Sequence, residues 1–311
     1  MPSISRPPVV AILGPTAVGK TEIAIQLAER LGAEIISADS RLLYRGMDIG
    51  TAKPSLEQRS RVVHHLIDVA EPNEGWSLTV FQQAAAKAID EVHERGKLPI
   101  LVGGTGQYLR AIVEGWMPPK LAPQPLLRKV LDEWERQVGR EGMHRRLAVL
   151  DPAAAQQIDG RNVRRTLRAL EVTLATGRRF SEQRTHREAP YRLLQIGLTR
   201  PRVELCARID ARIQEMLDAG WLDEVRSLLA RGYDPSLPSL SAIGYAQLAA
   251  HLSGEISLEQ AITEIKRKTR MFVRRQAAWF KPGDASIHWF EAGETEVIEA
   301  IQNEIAGFLQ Q

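Results

Sequence analysis

An α/β fold is predicted: a parallel sheet covered by helices, with a helical insertion. Three observations predict it. Short β-branched runs alternate with helical patterns from residue 9 to about residue 113. A proline-rich stretch at 118–125 then gives way to helix alone, and a strand-like run returns at 193–199. Strands and helices alternating at these spacings imply right-handed crossovers and a sheet covered on both faces.

The elements follow in order. VVAIL (9–13), bounded by Pro8 and Gly14, reads as a buried strand. Residues 19–31 place Ile23, Ile25, Leu27, Ala28 and Leu31 at helical spacing until Gly32 stops them. AEIISAD (33–39) reads as the second strand, closed by Asp39, and 79–95 as a helix ended by Gly96. LPILV (98–102) is the third strand and runs into Gly103–Gly106 and another helix. Four prolines in 118–125 break any continuing helix. Helical stretches then reach about residue 177, so 119–189 reads as an insertion into a core formed by 1–118 and 190–311. After the strand at 193–199 come helices over 201–231, 240–252 and 257–280, a strand-like IHWF (287–290) and a last helix.

Composition narrows the class. The 311 residues are 44% hydrophobic and 25% charged, enough apolar surface for a sizeable core. Lysine and arginine number 41 against 38 acids, so the net charge of +3 demands no polyanionic partner by itself. A single cysteine, Cys206, excludes an internal disulfide and a four-cysteine metal site. The beginning of the chain lacks a signal-peptide layout, and no uncharged apolar stretch approaches a bilayer span. The expectation is a soluble, cytoplasmic enzyme with no membrane segment.

Gly14-Pro15-Thr16-Ala17-Val18-Gly19-Lys20-Thr21 fits the phosphate-loop pattern and lies between a predicted strand and a predicted helix. Such a loop turns backbone N–H groups toward a phosphate, and the helix dipole adds positive potential. Lys20 would supply a charge and the Thr21 hydroxyl a ligand for Mg²⁺. Phosphoryl-transfer enzymes with this loop usually carry a metal-binding Asp after a later strand. Here LPILV ends in Gly103-Gly104-Thr105, which weakens an ATPase or GTPase reading. Those glycines would leave room for a ligand or make a tight turn. Asp39, at a strand end, should face the same crevice, either to take a proton or hold a metal, or to cap the next turn.

Two segments are basic. One, 161–187, holds Arg161, Arg164, Arg165, Arg168, Arg178, Arg179, Arg184 and Arg187, beside an apolar face of Val163, Leu167, Leu170 and Leu174. In the other, 264–281, Lys266, Arg270 and Arg274 recur every four residues as one exposed stripe. They form either solvated faces or a surface for a nucleic-acid backbone. His64, His65 and the tryptophans at 76, 116, 221 and 279 read as structural.

Taken together, GPTAVGKT (14–21), AEIISADSRLLYRGMDIGTAKP (33–54), HHLIDV (64–69), LVGGTGQYLRA (101–111), NVRRTLRALEV (162–172), RIDARIQEML, SAIGYAQL (241–248) and KRKTRMFVRRQAAWF (266–280) resemble the tRNA dimethylallyltransferases, also called tRNA isopentenyltransferases. The resemblance covers nearly the whole chain. It implies a core similar to P-loop kinases. It also implies transfer of dimethylallyl from dimethylallyl diphosphate to N6 of the adenosine just 3′ of a tRNA anticodon. Residues 14–21 and Arg212 would hold the diphosphate, with Mg²⁺ near Thr21. Asp39 would act as base, with Thr16 and Thr105 at the reacting centre. Asp39, Ser40, Arg41, Leu42, Thr105, Arg128, Arg161, Asn162, Val163, Arg164, Arg165, Lys266, Arg270 and Arg274 would meet the anticodon stem-loop. A monomer is expected. From the residues alone, a free-nucleotide prenyltransferase, a small-molecule kinase and a non-catalytic RNA-binding protein stay open.

Overall fold

A computed structural model describes residues 6–119, 121–183, 185–186, 189–281 and 283–311; Arg184 and Arg187 of the first basic segment lie outside them. In chain order the elements begin with β1 (Pro8–Leu13), α1 (Lys20–Leu31), β2 (Glu34–Ser37), α2 (Leu56–Arg61), β3 (His64–His65), α3 (Leu78–Glu94), β4 (Pro99–Gly103) and α4 (Gly106–Val113). Then come β5 (Trp116–Met117), α5 (Pro125–Leu150), α6 (Pro152–Gln157), α7 (Val163–Thr176), α8 (Phe180–Gln183) and β6 (Thr185–His186). The rest is β7 (Arg192–Thr199), α9 (Arg202–Asp218), α10 (Trp221–Ala230), α11 (Tyr245–Leu252), α12 (Leu258–Ala277), β8 (Ile287–Glu291) and α13 (Val297–Leu309). Two compact units result: Met1–Val113 with Ala189–Gln311, and Glu114–Glu188.

The first unit is built on a six-stranded sheet in the order β3-β2-β4-β1-β7-β8, and every pairing is parallel. Residues Val9–Leu13 have no exposed surface, as expected of a strand buried on both faces. Each fully buried aliphatic side chain there contributes roughly 1.5–3 kcal/mol. Because all strands point one way, the segments after β1, β2, β4 and β7 emerge at one edge. β4 lies between β2 and β1, so the turn after β4 falls between the other two.

Several boundaries differ from the sequence reading, each for a local reason. The second strand stops at Ser37, with Ala38 N–H making one last bond to Val102 O at 2.7 Å, so Asp39 lies past the strand in a turn. The 201–231 helix breaks at Ala219 and Gly220, where Gly220 takes a left-handed φ of 95°. The basic helix ends at Ala277, short of Lys281. The first basic segment is not one helix: α7 stops at Gly177, and Leu174 is 47% exposed rather than part of the apolar face. The strand at His64–His65 was not foreseen. His65 Nε2 lies 2.7 Å from Glu34 Oε2, and the buried Glu34 also binds Arg95 and Lys97. Burial would raise this carboxyl, but hydrogen bonds from Arg95, His65 and Lys97 outweigh it and hold it at about 2.

The second unit has its own small core of Leu131, Met143, Leu147, Ala154, Ala155, Ile158, Leu167, Ala169 and Leu170. Its α5 is broken at Gly139, which has a φ of 69°. Its two short strands, β5 and β6, pair antiparallel.

Candidate active site at the carboxyl ends of the strands

The loop after β1 wraps toward α1, which starts at Lys20. Gly14 and Gly19 have φ of 152° and 116°, and Ala17 is left-handed at 67°, a conformation that costs a non-glycine residue roughly 1–2 kcal/mol. Three side chains from distant segments pin the loop from outside. The Gln276 amide oxygen accepts from Thr16 N–H at 2.9 Å, Arg208 Nε donates to Ala17 O at 2.8 Å, and Arg200 Nε donates to Val18 O at 2.8 Å. Lys20 Nζ donates to Gly14 O and Pro15 O at 2.9 and 2.8 Å. Burial pushes this ammonium down to about 8; the charge of Asp39 opposes the fall and that of Arg212 adds to it. Asp39 and Arg212 are therefore each within electrostatic reach of Lys20. Arg212 is half-buried on α9, and burial, then the neighbouring Arg208, lowers its own value.

Asp39 follows β2. Its Oδ1 accepts from Arg41 N–H at 2.8 Å, so one oxygen caps the turn as the structural alternative required. Among the described residues Oδ2 has no hydrogen-bond partner and remains for chemistry. Ser40 N–H donates to Thr105 Oγ1 at 3.3 Å, joining this turn to the one after β4. Arg41 Nη1 reaches Pro238 O and Ser239 O at 2.6 and 3.1 Å, and Leu42 is half-buried. Burial, then the charges of Tyr44 and Asp39, push the Tyr108 phenol up to about 12. It stays protonated at neutral pH.

Of the two readings of the glycines at 103–106, room for a ligand or a tight turn, the chain turns here between β4 and α4, and protein packs against the glycines. A side chain at Gly104 would meet Gln276 Nε2 at 2.4 Å, and one at Gly106 would meet the Trp279 ring at 2.2 Å. Gln276 Nε2 donates to Gly104 O at 2.9 Å. A mainly apolar cavity of about 270 Å³ lies beside the start of the phosphate loop, its lining including Gly14, Pro15, Leu198, Val273, Arg274 and Phe280. Its lining does not include Asp39, Lys20 or Thr105.

The basic stripe of α12 is real but unevenly free. Arg270 and Arg274 are exposed and Lys266 is half-buried, while Arg270 also binds Asp210 at 2.5 Å. In the second unit, Asn162 caps α7 through Arg165 N–H, and Val163 packs on the small core. Arg164 and Arg165 are exposed, and Arg161 binds Asp159 at 2.7 Å. Arg128 is committed to the buried carboxylate of Glu171 at 2.6 Å, shared with Arg168 at 2.8 Å.

Sequence reasoning missed Gln276, Arg200 and Arg208. Arg208 lay in a quoted motif without a role. Gln276 carried a usable signal, being a polar residue on the buried stripe of α12 with Ala261 and Ile265.

The chemistry on offer is an anion cradle of loop amides, Lys20 and Arg212 facing a carboxylate with one oxygen free. Fold and site together define a phosphate-loop α/β protein with an anion cradle beside a carboxylate. The IPP transferase family model matches residues 42–283. A tRNA dimethylallyltransferase of Roseiflexus sp. (strain RS-1) is 50% identical over 287 residues, 90% of this chain and 94% of that protein. One from Thermomicrobium roseum is 46% identical over 98% of this chain and 93% of its own length. The crystal structure of a tRNA isopentenylpyrophosphate transferase from Bacillus halodurans superposes with a TM-score of 0.74 at 40% identity, covering 98% of this chain and 97% of that one. A eukaryotic dimethylallyltransferase captured acting on tRNA gives 0.81 at 27% identity, covering 96% and 78%. The chain belongs to the IPP transferase family, that of the tRNA dimethylallyltransferases.

Proposed function

We infer that this protein transfers a dimethylallyl group to tRNA. The finer reading is that the donor is dimethylallyl diphosphate and the acceptor is N6 of the adenosine 3′-adjacent to the anticodon. The observation that carries it is that the phosphate loop and Asp39 follow the carboxyl ends of β1 and β2, on either side of β4, with Lys20 feeling the charges of both Asp39 and Arg212.

In this reading the donor's C–O bond breaks, a C–N bond forms, and diphosphate leaves. Loop N–H groups, Lys20 and Arg212 stabilise the charge growing on the leaving oxygens, which should be the largest single contribution. Asp39 Oδ2 orients the N6 amine and takes its proton. The Thr16 hydroxyl and Thr105 sit at the reacting centre; Thr16 N–H itself is engaged by Gln276. An adenine buried in a stacked loop cannot reach this crevice, so it must be flipped out.

Mg²⁺ is the cofactor this reading calls for, with Thr21 as its one protein ligand. The Thr21 hydroxyl stands at the loop, no cluster of three or more metal-ligating side chains exists among the described residues, and Mg²⁺ at such sites takes most of its ligands from phosphate and water. Bound there, it would neutralise charge on the leaving diphosphate.

Ser40, Arg41 and Leu42, beside the base, and Lys266, Arg270 and Arg274 on α12 would contact the anticodon stem-loop. The 119–189 insertion would add Arg128 and Arg161–Arg165. Arg128 would have to share its guanidinium with Glu171. No helix among the described residues is long and apolar enough to cross a membrane. The reading is of a cytoplasmic monomer. The test is to incubate the purified protein with dimethylallyl diphosphate and total tRNA, digest to nucleosides and weigh them. Adenosine heavier by one C5 unit is the expected result; unmodified adenosine refutes the reading.

A further inference from the structure

Gln276 sits in the last turn of α12, with 6% of its surface exposed. Both ends of its amide are used. Oε1 accepts from Thr16 N–H and Nε2 donates to Gly104 O, each at 2.9 Å. The first bond anchors the phosphate loop one residue before the strained Ala17. The second anchors the turn after β4 one residue before Thr105, whose hydroxyl holds Ser40 beside Asp39. A continuous path thus runs from the loop that would hold the leaving group to the turn that carries the base.

Only a planar group with one donor and one acceptor a fixed distance apart can make both bonds at once. A carboxylate cannot donate to Gly104 O. A methionine of similar volume makes neither bond and leaves the half-buried Thr16 N–H and the buried Gly104 C=O unpaired. The close approach is built in on the other side too, because a Cβ at position 104 would lie 2.4 Å from Nε2 and force the amide to shift.

We propose that Gln276 is a positioning residue that sets the spacing between the diphosphate loop and the Asp39–Thr105 side of the site, and so between donor carbon and acceptor nitrogen. This rests on the transferase reading above. Displacement by about 1 Å costs up to 100-fold in rate even when both substrates still bind. Gln276 therefore acts on turnover more than on affinity.

Gln276→Met and Gln276→Glu test this, with two kinds of readout. In steady-state transfer, Gln276→Met should lower kcat by roughly 10- to 100-fold. The KM values for donor and tRNA should stay within about threefold of the parent. In amide hydrogen exchange, which needs no activity, Gln276→Met should speed exchange at both Thr16 and Ser40 while β1 and β4 stay protected. Gln276→Glu keeps an acceptor for Thr16 N–H, so only the Ser40 side should loosen and kcat should still fall. A kcat within threefold of the parent in both variants, or faster exchange at Thr16 alone in Gln276→Met, would overturn the proposal. Should Gln276→Met lose protection throughout the sheet, Gln276→Glu decides: an unchanged Ser40 amide sinks the proposal. Should the parent protein transfer nothing while the exchange pattern appears as described, the transferase reading fails and the brace between the two loops stands.

Discussion

Donor affinity should weaken steeply above neutral pH because of Lys20. Its ammonium is held at about 8 by burial, despite help from Asp39. The charged fraction is about 0.9 at pH 7 and about 0.03 at pH 9.5 for such a group. Bound diphosphate reverses the burial effect. A unit charge 4 Å away is worth about 4 kcal/mol at an effective dielectric near 20, enough to keep the bound lysine charged across this range. Affinity should therefore track the charged fraction of the free protein and fall about 30-fold, near 2 kcal/mol, between pH 7 and 9.5. Isothermal titration with dimethylallyl diphosphate measures this directly. Lys20→Met should bind weakly with a flat profile. The unliganded fold should move the other way. The folded value lies below the unfolded 10.5, so folding stability rises as pH climbs from about 8 toward 10.5. A change under twofold in donor affinity, or a Lys20→Met profile as steep as the parent's, would refute the reasoning.

Other outcomes are expected. Asp39→Ala should lower kcat by about two to four decades with donor affinity within about threefold, by rapid-quench assay and titration; near-normal turnover removes Asp39 as the base. Replacing Lys266, Arg270 and Arg274 together by Gln should weaken tRNA binding and flatten its log–log salt slope by roughly two. Filter binding at several salt concentrations reads this, and an unchanged slope puts the RNA elsewhere. Glu34→Gln should cost about 2 kcal/mol at pH 7 by urea unfolding. Because Glu34 is depressed to about 2, its contribution is full above pH 4.5 and disappears as pH falls through 2, so the gap between variants should narrow in acid. Arg128→Ala should lower thermal stability by about 1–3 kcal/mol, since Glu171 is left with less compensation. Weaker tRNA binding with no stability loss would show that the ion pair is unimportant.

What the sequence revealed and what it hid divide along physical lines. The loop at 14–21 is contiguous, so its pattern is complete in one stretch. Asp39 was placed by a general property of parallel sheets, although its strand ended two residues sooner than read. Gln276, Arg200 and Arg208 reach the loop from 260, 182 and 191 residues away, and no local period marks such an encounter. The glycines at 104 and 106 were visible, but the side chains that need them belong to the far end of the chain. Arg128 reads as one more surface cation until the fold reveals Glu171 behind it.

The Glu114–Glu188 unit keeps an apolar cluster of its own, made chiefly of leucine and alanine. Cooperativity follows shared packing, so this segment is equipped to open and reclose as a separate foldon while the six strands stay shut. Proteases under native conditions should nick it first, releasing fragments cut within 114–188 from an otherwise intact sheet.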